Sequence, residues 1–597
     1  MRDPMDHAVE EAVRRYLARV VMRYVPFGLA IVIFLAMVIA VPTLSPSGSG
    51  TQATGGVAGN GVSTGNSVST GTGGGSTGGV GASSAGGVSL PGGSPVASGL
   101  SGGGTSSGAA SGSDVSAGGT GSAATTPGAS GTTITGGRCA PGVRQVSWSA
   151  YSTLCAPVFT GDNGGATSFG VTGSTITATF RISDSGEAGA VAAASPSLDQ
   201  AAQNQYEEDL DTYVDYFNSQ FELYGRHVVM KEFTGQGDWV QEYQGQDPQG
   251  AEADAATARH LGAFADLSSA AVSTTPLYAQ YLATDHIVSA GGVAGSDHYY
   301  KTYAPYIFTA GASTSNLVDW MPNVVCQRMK GLPAIFGGDP GDATKTRKFG
   351  LIYPTNPDFQ LVGNQVKSSL EACGTPIADT YEYAIDLSTM ASDSTIAMAQ
   401  MRADGVTTVV CLCDTLVPRF LTIAAAGQNY HPEWVFTGEA DTLGQTYQQS
   451  EWAHAIAPDG TTPPNSHTEA YKVYLMASHG RQPVSLYYEA AYSTAILFFD
   501  ALQNAGPDLT PATFQQGFFG LPPSMPGGQL GPWSFGVDHW TAAAAAQIGW
   551  WSPSTTSNAD NTAGAWVACS GADGDFHPWE PRSGYGPTGT QLHCFGK

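Results

Sequence analysis

The chain has 597 residues, and 78 of them are glycine, nearly twice the share of about 7% that is usual in proteins. Charged residues make up only 12% of the chain, and residues 138–597 hold 44 acidic but only 19 basic side chains. So negative a domain repels phosphate backbones and anionic lipid headgroups, which argues against a nucleic-acid partner.

Residues 24–44 carry no charge and are almost wholly apolar. About 20 residues of this kind are enough to cross a bilayer as a helix. Four arginines between residues 14 and 23 precede this run, and no basic residue follows it before Arg138. The positive-inside rule therefore places residues 1–23 in the cytoplasm and the rest of the chain outside the cell, as a single-pass protein of the cell membrane. A signal peptide cleaved near Val38-Ile39-Ala40 is the alternative.

Residues 45–137 consist almost entirely of Gly, Ser, Thr, Ala and Val and contain one charge, Asp114. Such a composition cannot bury enough apolar surface to offset the entropy of ordering the chain. The sequence therefore predicts a disordered linker over 45–137, followed by an extracellular folded domain over 138–597. As a flexible coil, the linker would span roughly 50–60 Å.

The folded part begins with a run of alternating strand and helix signals. We predict the strands from β-branched runs and the helices from apolar residues spaced by three and four positions. In chain order the run is a strand at 174–182, a helix at 198–220, a strand at 227–233, a helix at 251–264, a short strand at 270–272 and a strand at 286–289.

A second run has the same rhythm. Its elements are a strand at 348–353, a helix at 358–372, a helix at 395–402, a strand at 406–413, a helix at 416–426 and a strand at 434–436. Two such runs predict two α/β units, each with a mostly parallel sheet flanked by helices. In sheets of this kind, ligands bind beyond the carboxyl ends of the strands, which here are turns rich in Ser, Thr and Gly.

All eight cysteines lie on the predicted outer side of the membrane, where an oxidising environment favours disulfides. The spacing of the cysteines and the elements around them predict three pairs, which are Cys139–Cys155, Cys326–Cys373 and Cys569–Cys594. Cys411 and Cys413 point to one face of a predicted strand, and the residues leave open a buried thiol, a disulfide partner or a metal pair. No spacing resembles a zinc motif, so we expect neither a metal nor a cofactor.

The chain offers no convincing catalytic motif. The nucleophile-elbow pattern at 61–65 lies in the linker, with no strand before it and no helix after it. The Lys345-Thr346 pair lacks the preceding Gly of a phosphate-binding loop and leads into a strand. We therefore expect no enzyme; a secreted hydrolase would need a nucleophile and a base that converge.

Several short stretches resemble one protein family. They are Gly170-Val-Thr172, Tyr216-Phe-Asn218, Tyr224-Gly-Arg226, Gly405-Val-Thr-Thr-Val409, His431-Pro-Glu-Trp434, Ala505-Gly-Pro507, Leu509-Thr-Pro511 and Gly549-Trp-Trp551. Their order resembles that of bacterial extracellular solute-binding proteins of the branched-chain amino-acid (leucine-binding-like, type I periplasmic binding protein) family. The resemblance covers about residues 170–551.

The resemblance implies two lobes, joined by three crossovers, that close on a small ligand. It implies that lobe one comprises about 170–312 and 445–525, and lobe two 313–444 and 526–597. The ligand carboxylate would be held in lobe one by Ser273, Thr274, Thr275, Ala290 and Gly291. The ammonium group would be held in lobe two by Glu439, with Asp414 on the preceding loop.

The resemblance also implies a role. The protein would capture an amino acid or a related compound, either for uptake through an ABC-type permease or for sensing. The long linker, the extra segment at 138–169 and the tail at 552–597 depart from the family's pattern. They leave open a cell-surface interaction or sensor protein that uses the same fold without a transported ligand.

Overall fold

A computed structural model describes residues 127–184, 200–269, 274–438, 440–460, 466–525, 531–537, 539–578 and 589–596. The chain divides into two compact units, Met1–Ser113 and Asp114–Lys597, and all described residues belong to the second. The predicted membrane segment 24–44 and most of the predicted linker lie outside the described residues. No helix of the described part is both long enough and apolar enough to cross a membrane.

The elements of the described part are numbered in chain order. The strands are β1 Gly131–Thr132, β2 Arg138–Cys139, β3 Thr175–Asp184, β4 His227–Asp238, β5 Ala265–Asp266, β6 Val288–Ser289, β7 Phe349–Pro354, β8 Ile377–Tyr383, β9 Thr408–Cys411, β10 Glu433–Val435, β11 Ala455–Asp459, β12 Ala545–Thr556, β13 Ala563–Ala568 and β14 His577–Pro578. The helices are α1 Gln200–Asn218, α2 Trp239–Tyr243, α3 Pro248–His260, α4 Pro276–Thr284, α5 Asp297–Thr302, α6 Leu317–Val324, α7 Pro357–Ala372, α8 Met390–Ala403, α9 Val417–Gly427, α10 Asp441–Gly444, α11 Gln449–Trp452, α12 Glu469–Ala477, α13 Tyr488–Ala505 and α14 Pro511–Phe519.

Lobe one is built on a parallel sheet with the strand order β4-β3-β5-β6. Its core lies between this sheet and helices α1, α13 and α14. Helix α13 is buried on nearly every side because apolar residues occupy most of its surface, and Phe499 on it meets Phe217 of α1 at 5.7 Å between ring centroids. Aromatic pairs of this kind add about 0.5–1.5 kcal/mol beyond the area that they bury.

Lobe two is built on a larger mixed sheet with the order β13-β12-β11-β10-β9-β7-β8. The strands from β8 to β11 pair in parallel, whereas β12 pairs antiparallel with β11, β13 and β14. Every residue of β7, β9 and β10 is buried, as expected for parallel strands with helices on both faces. Two apolar clusters cover the two faces of the sheet. The predicted α/β class with two lobes is confirmed.

The sequence prediction misses one strand of lobe one. This strand lies at Ala265–Asp266, directly after the stretch that the sequence predicts as helix, and the strand predicted at 270–272 lies outside the described residues. Two residues with a buried Asp give no β pattern, so only pairing with β3 and β6 identifies this strand.

The lobe boundary expected at 444/445 is also wrong. Residues 441–459 belong to lobe two because β11 pairs with β10 and β12, so the chain leaves lobe two only after Gly460. The boundary expected at 525/526 also lies further along the chain. Trp533 and Trp540 pack into apolar clusters of lobe one, and lobe two resumes near Ala543.

The predicted linker ends earlier than expected. Residues 127–137 are part of the folded unit, because β1 pairs with β2 and the backbone N–H of Val158 donates to the carbonyl of Thr132 at 2.8 Å. A disulfide between Cys139 and Cys155 fixes this segment. The composition of residues 127–137 does not predict this folded structure, because the residues that they contact lie further along the chain.

The three expected disulfide pairs are present. Cys139 bonds to Cys155, Cys326 to Cys373 and Cys569 to Cys594. The sulfur atoms of Cys411 and Cys413 lie against each other, in the pairing of a disulfide. The described residues contain no cluster of His, Cys, Asp and Glu suited to a metal ion.

The fold of lobe one makes stability depend on pH through Asp209 of α1. This carboxylate is buried and accepts hydrogen bonds from the backbone N–H groups of Val484 and Ser485 at 3.1 and 2.8 Å. Burial raises the pKa of Asp209 to about 6, although these hydrogen bonds act in the opposite direction. Because the pKa is about 3.9 in an unfolded chain, the folded state holds this proton more tightly.

We therefore expect Asp209 to stabilise the fold fully below about pH 4 and to lose that contribution as the pH rises to about 6. The melting temperature should therefore rise when the pH is lowered from 7 to 5. Asp209→Asn should reduce this rise, measured on the full-length protein by differential scanning calorimetry. Asp215→Asn, on the exposed side of the same helix, is the control. An unchanged pH dependence in Asp209→Asn would contradict this prediction.

Candidate functional site

The carboxyl ends of the strands in both lobes face a cleft that contains two connected chambers. The inner chamber has a volume of about 320 Å³, and the outer one about 550 Å³. Tyr243 and Ala294 of lobe one and Phe359 of lobe two line both chambers. Cavities of about 300–1,000 Å³ are typical of small-molecule sites.

The inner chamber combines aromatic walls with carboxylates. Its rings are Tyr243, Trp320, Phe359 and Trp533, and its hydroxyls come from Ser313, Thr314, Thr415 and Thr437. The carboxylates of Asp414 and Asp459 also line it, and both belong to lobe two.

Of the predicted ligand residues that the structure describes, Asp414 is the one that lines the inner chamber. The hydroxyl of Tyr383 donates to its Oδ2 at 2.6 Å, and the backbone N–H groups of Leu416 and Val417 donate to its Oδ1 at 2.7 and 3.2 Å. Burial raises the pKa of Asp414, although these hydrogen bonds act to lower it. Asp414 therefore binds the backbone at the start of α9.

The other described members of the predicted set lie behind the cleft. Thr275 caps α4 by accepting from the backbone N–H of Tyr278, and its hydroxyl donates to Glu242 at 2.7 Å. Thr274 is buried, and its hydroxyl has no hydrogen-bond partner among the described residues. Ala290 and Gly291 follow β6; a Cβ on Gly291 would collide with the backbone of the loop after β5. None of these four residues lines either chamber. Ser273 and Glu439 lie outside the described residues.

A buried ion network of lobe one positions one wall of the cleft. The Arg181 guanidinium of β3 donates to Glu242 at 2.7 Å and to Asp254 at 3.0 Å, and all three side chains are buried. It also stacks on the ring of Tyr278, with 3.9 Å from its carbon to the ring centroid. Burial alone would lower the pKa of Arg181, but the neighbouring carboxylates raise it above its ordinary value, so the side chain stays charged.

Sequence reasoning missed five residues that matter here, namely Tyr243, Trp320, Phe359, Asp459 and Trp533. They come from separate stretches of the chain that converge only in the folded protein. The Pro357-Asp-Phe359 stretch was the one available signal, since it opens a helix directly after β7, where a cleft residue is expected.

The two lobes are joined across the cleft by Asp358 at the start of α7. The backbone N–H of Ser296 in lobe one donates to Asp358 Oδ2 at 2.7 Å, and the Ser296 hydroxyl donates to Oδ1. The hydroxyl of Thr314, on a crossover between the lobes, donates to Oδ2 at 3.4 Å. The structure therefore shows the lobes held together by hydrogen bonds to a charged acceptor.

We expect Asp358→Ala to favour separation of the lobes. Hydrogen bonds to a charged group contribute about 1.5–3 kcal/mol each, and about 1.4 kcal/mol changes an equilibrium tenfold. Small-angle X-ray scattering of the full-length protein should therefore give a larger radius of gyration for Asp358→Ala. Asp404→Ala, at an exposed position of lobe two, is the matched control. Equal radii for the two variants would show that these contacts do not hold the lobes together.

Comparison with known proteins identifies the family. A family model described as periplasmic binding protein matches residues 189–549, more than half of the chain. A search of curated protein sequences finds no significant match.

Solved structures are similar to this chain at low sequence identity. A leucine-, isoleucine-, valine-, threonine- and alanine-binding protein from Brucella ovis is 15% identical, with a TM-score of 0.48, over 68% of this chain and 96% of its own. A fatty acid ABC transporter substrate-binding protein from Thermomonospora curvata is 14% identical, with a TM-score of 0.47, over 70% and 97%. A branched-chain amino acid transporter substrate binding protein from Streptococcus pneumoniae is 14% identical, with a TM-score of 0.44, over 66% and 99%. None of these likenesses supports the assignment of a ligand. On the family match, which covers both lobes, the chain belongs to the periplasmic binding protein family.

Proposed function

We propose that this protein is a membrane-anchored extracellular binding protein that captures a small polar solute, an amino acid or a related compound, between its two lobes. The observation that carries the proposal is the inner chamber of about 320 Å³, which both lobes line at the carboxyl ends of their strands. Family membership supports it, because proteins of this family bind solutes and are not enzymes.

The chemistry of the lining supports a ligand with an amino group. Asp414 and Asp459 supply negative charge from lobe two, and Glu439 is the next residue after Gly438, which lines the same chamber. In this proposal Glu439 holds the ammonium group. The turns with Ser273, Thr274, Thr275, Ala290 and Gly291 remain candidates for a carboxylate.

An open chamber favours capture over the alternative role. A cell-surface interaction protein with a vestigial cleft would fill that cleft with its own side chains. Chambers of about 320 and 550 Å³ leave room for a solute instead. The captured solute would pass to an ABC-type permease or serve as a signal, and the linker would hold the domain away from the membrane.

Ligand capture is tested by a thermal-shift screen of the full-length protein in detergent solution against amino acids, their amides and small polyols. A ligand that binds only the folded state raises the melting temperature, and at one hundred times its Kd it stabilises by about 2.7 kcal/mol. We expect a hit that contains an amino group, with affinity weakened about tenfold or more by Glu439→Gln. The absence of any stabilising solute would contradict the binding role, whereas a hit insensitive to Glu439→Gln would contradict only the role of that residue.

Membrane anchoring is tested in intact cells. We expect added protease to cut between residues 45 and 126 and to release a fragment that contains the folded unit, because the anchor at 24–44 leaves that unit outside. Cells without protease are the control, and immunoblotting of the medium is the measurement. A mature N-terminus near Val41 on protein already free in the medium would instead show cleavage of a signal peptide.

A further inference from the structure

A cavity of about 720 Å³ lies outside the cleft, beside the contact that joins the lobes. Lobe one contributes Asp297 and His539 to its lining, and lobe two contributes residues of α6 and α7; we call it the hinge cavity. It shares one described lining residue, Leu361, with the outer chamber of the cleft and none with the inner chamber. The hinge cavity is therefore separate from the proposed solute site, and it is larger than either chamber.

The hinge cavity bridges the two lobes. In the contact between the lobes, Ser296 and Thr314 donate to Asp358. The next residues along the chain, Asp297 and Ser315, line the hinge cavity, and the backbone N–H of Asp297 donates to the Ser315 hydroxyl oxygen at 2.9 Å. A molecule bound in this cavity would therefore contact both lobes.

The charge of the lining argues against an anionic ligand. None of the described residues that line the hinge cavity is Lys or Arg, whereas Asp297 and Asp319 contribute carboxylates. Lys301, in the last turn of α5, interacts electrostatically with Asp297 and offsets part of its charge. A cationic ligand would have to compete with Lys301, so the lining favours a neutral molecule.

The polar side chains of the lining offer both donors and acceptors. Asn364 Oδ1 accepts from the Tyr353 hydroxyl at 3.2 Å, which leaves the Asn364 amide N–H groups as donors. The Ser368 hydroxyl donates to the carbonyl of Asn364 at 2.9 Å, which leaves its oxygen as an acceptor. His539 Nδ1 lies 2.7 Å from the carbonyl of Ser534 and therefore carries the hydrogen, so Nε2 of the neutral ring is an acceptor. A hydroxyl group donates and accepts, so a ligand with several hydroxyls matches this mixture.

Apolar side chains lie among these polar groups. Leu361 is 40% exposed, Val318 is half-buried, and both line the hinge cavity. Apolar surface together with a few placed polar groups, in a volume of about 300–1,000 Å³, is typical of small-molecule sites. A sugar ring has the complementary surface, because its C–H groups can cover the apolar side chains while its hydroxyls reach the polar ones.

We propose that the hinge cavity is a second binding site and that its ligand is a neutral sugar, either free in solution or as a unit of a polysaccharide. Asp297 and Asp319 accept hydrogen bonds from the hydroxyls of the sugar, and Asn364 and Ser368 of α7 complete the set from lobe two. Leu361 packs against the ring. This site adds to the proposed capture of a solute in the cleft and does not depend on it.

Sugar binding is measured by isothermal titration calorimetry on the full-length protein, in a detergent without a sugar headgroup, since such a headgroup would compete. The free probes are glucose, galactose, mannose and N-acetylglucosamine, and the polymers are dextran, galactan and mannan. Putrescine is the cationic control and glucose 6-phosphate the anionic one. We expect at least one neutral sugar or polymer to bind about tenfold or more tightly than both controls. Binding of a free sugar would identify a soluble ligand, and binding of a polymer alone would identify a polysaccharide; both results support the proposal.

Variants locate the sugar. Ser368→Trp fills the hinge cavity from an exposed position of α7 and should abolish binding of the sugar that binds most tightly. Ser392→Trp makes the same change at an exposed position of α8 and should leave the affinity unchanged. Asp297→Asn removes a charged acceptor and should weaken binding about tenfold. Asp297→Asn decides the question if the melting temperature shows that Ser368→Trp does not fold.

The outcomes that overturn this inference leave the proposed function standing. The inference is wrong if none of the neutral sugars and polymers binds, or if putrescine or glucose 6-phosphate binds more tightly than all of them. Equal sugar affinity in folded Ser368→Trp and in Ser392→Trp would place the sugar elsewhere, for example in the cleft, and would also overturn it. An unchanged affinity in Asp297→Asn has the same meaning. None of these results tests capture of an amino acid in the cleft, which the thermal-shift screen decides separately.

Discussion

The buried guanidinium of Arg181 is the constraint on which the cleft side of lobe one depends. Arg181 lies on the central strand β3, and its partners Glu242 and Asp254 come from two different helices. Losing one partner of such a pair costs about 3–5 kcal/mol, since the remaining charge is left buried without compensation. The network therefore holds α2 against the sheet, and with it Tyr243, the next residue after Glu242.

The same network also engages Thr275, one of the residues that the family resemblance assigns to a ligand carboxylate. Thr275 donates to Glu242, so its hydroxyl is committed to the protein. The Thr275 hydroxyl thus links the start of α4 to the ion network. The aromatic lining from Tyr243 and Phe359 takes the position nearest to the cleft.

The segments outside the two lobes are fastened by buried polar contacts as well as by disulfides. The backbone N–H of Thr153 donates to Asp500 of α13 at 2.7 Å, close to the Cys139–Cys155 bond. In the tail, Arg328 pairs with Asp573 at 2.7 Å, near Cys569–Cys594. A disulfide restricts the unfolded chain, and the ion pair then fixes where the restricted segment docks. Extra segments with little core of their own can become ordered in this way.

The sequence by itself determined the class of fold, the order of most elements and three disulfides. These follow from local patterns, such as the apolar run of β7 and the spacing of Cys139 and Cys155, which act over a few residues. Tertiary structure alone decided the strand at Ala265–Asp266, the place of β11 in lobe two and the ordering of residues 127–137, since each depends on pairing with distant segments. Tertiary structure also decided which residues line the cleft. Trp320, Asp459 and Phe359 carry no shared motif, and these three separate stretches of chain meet at one chamber only in the folded protein.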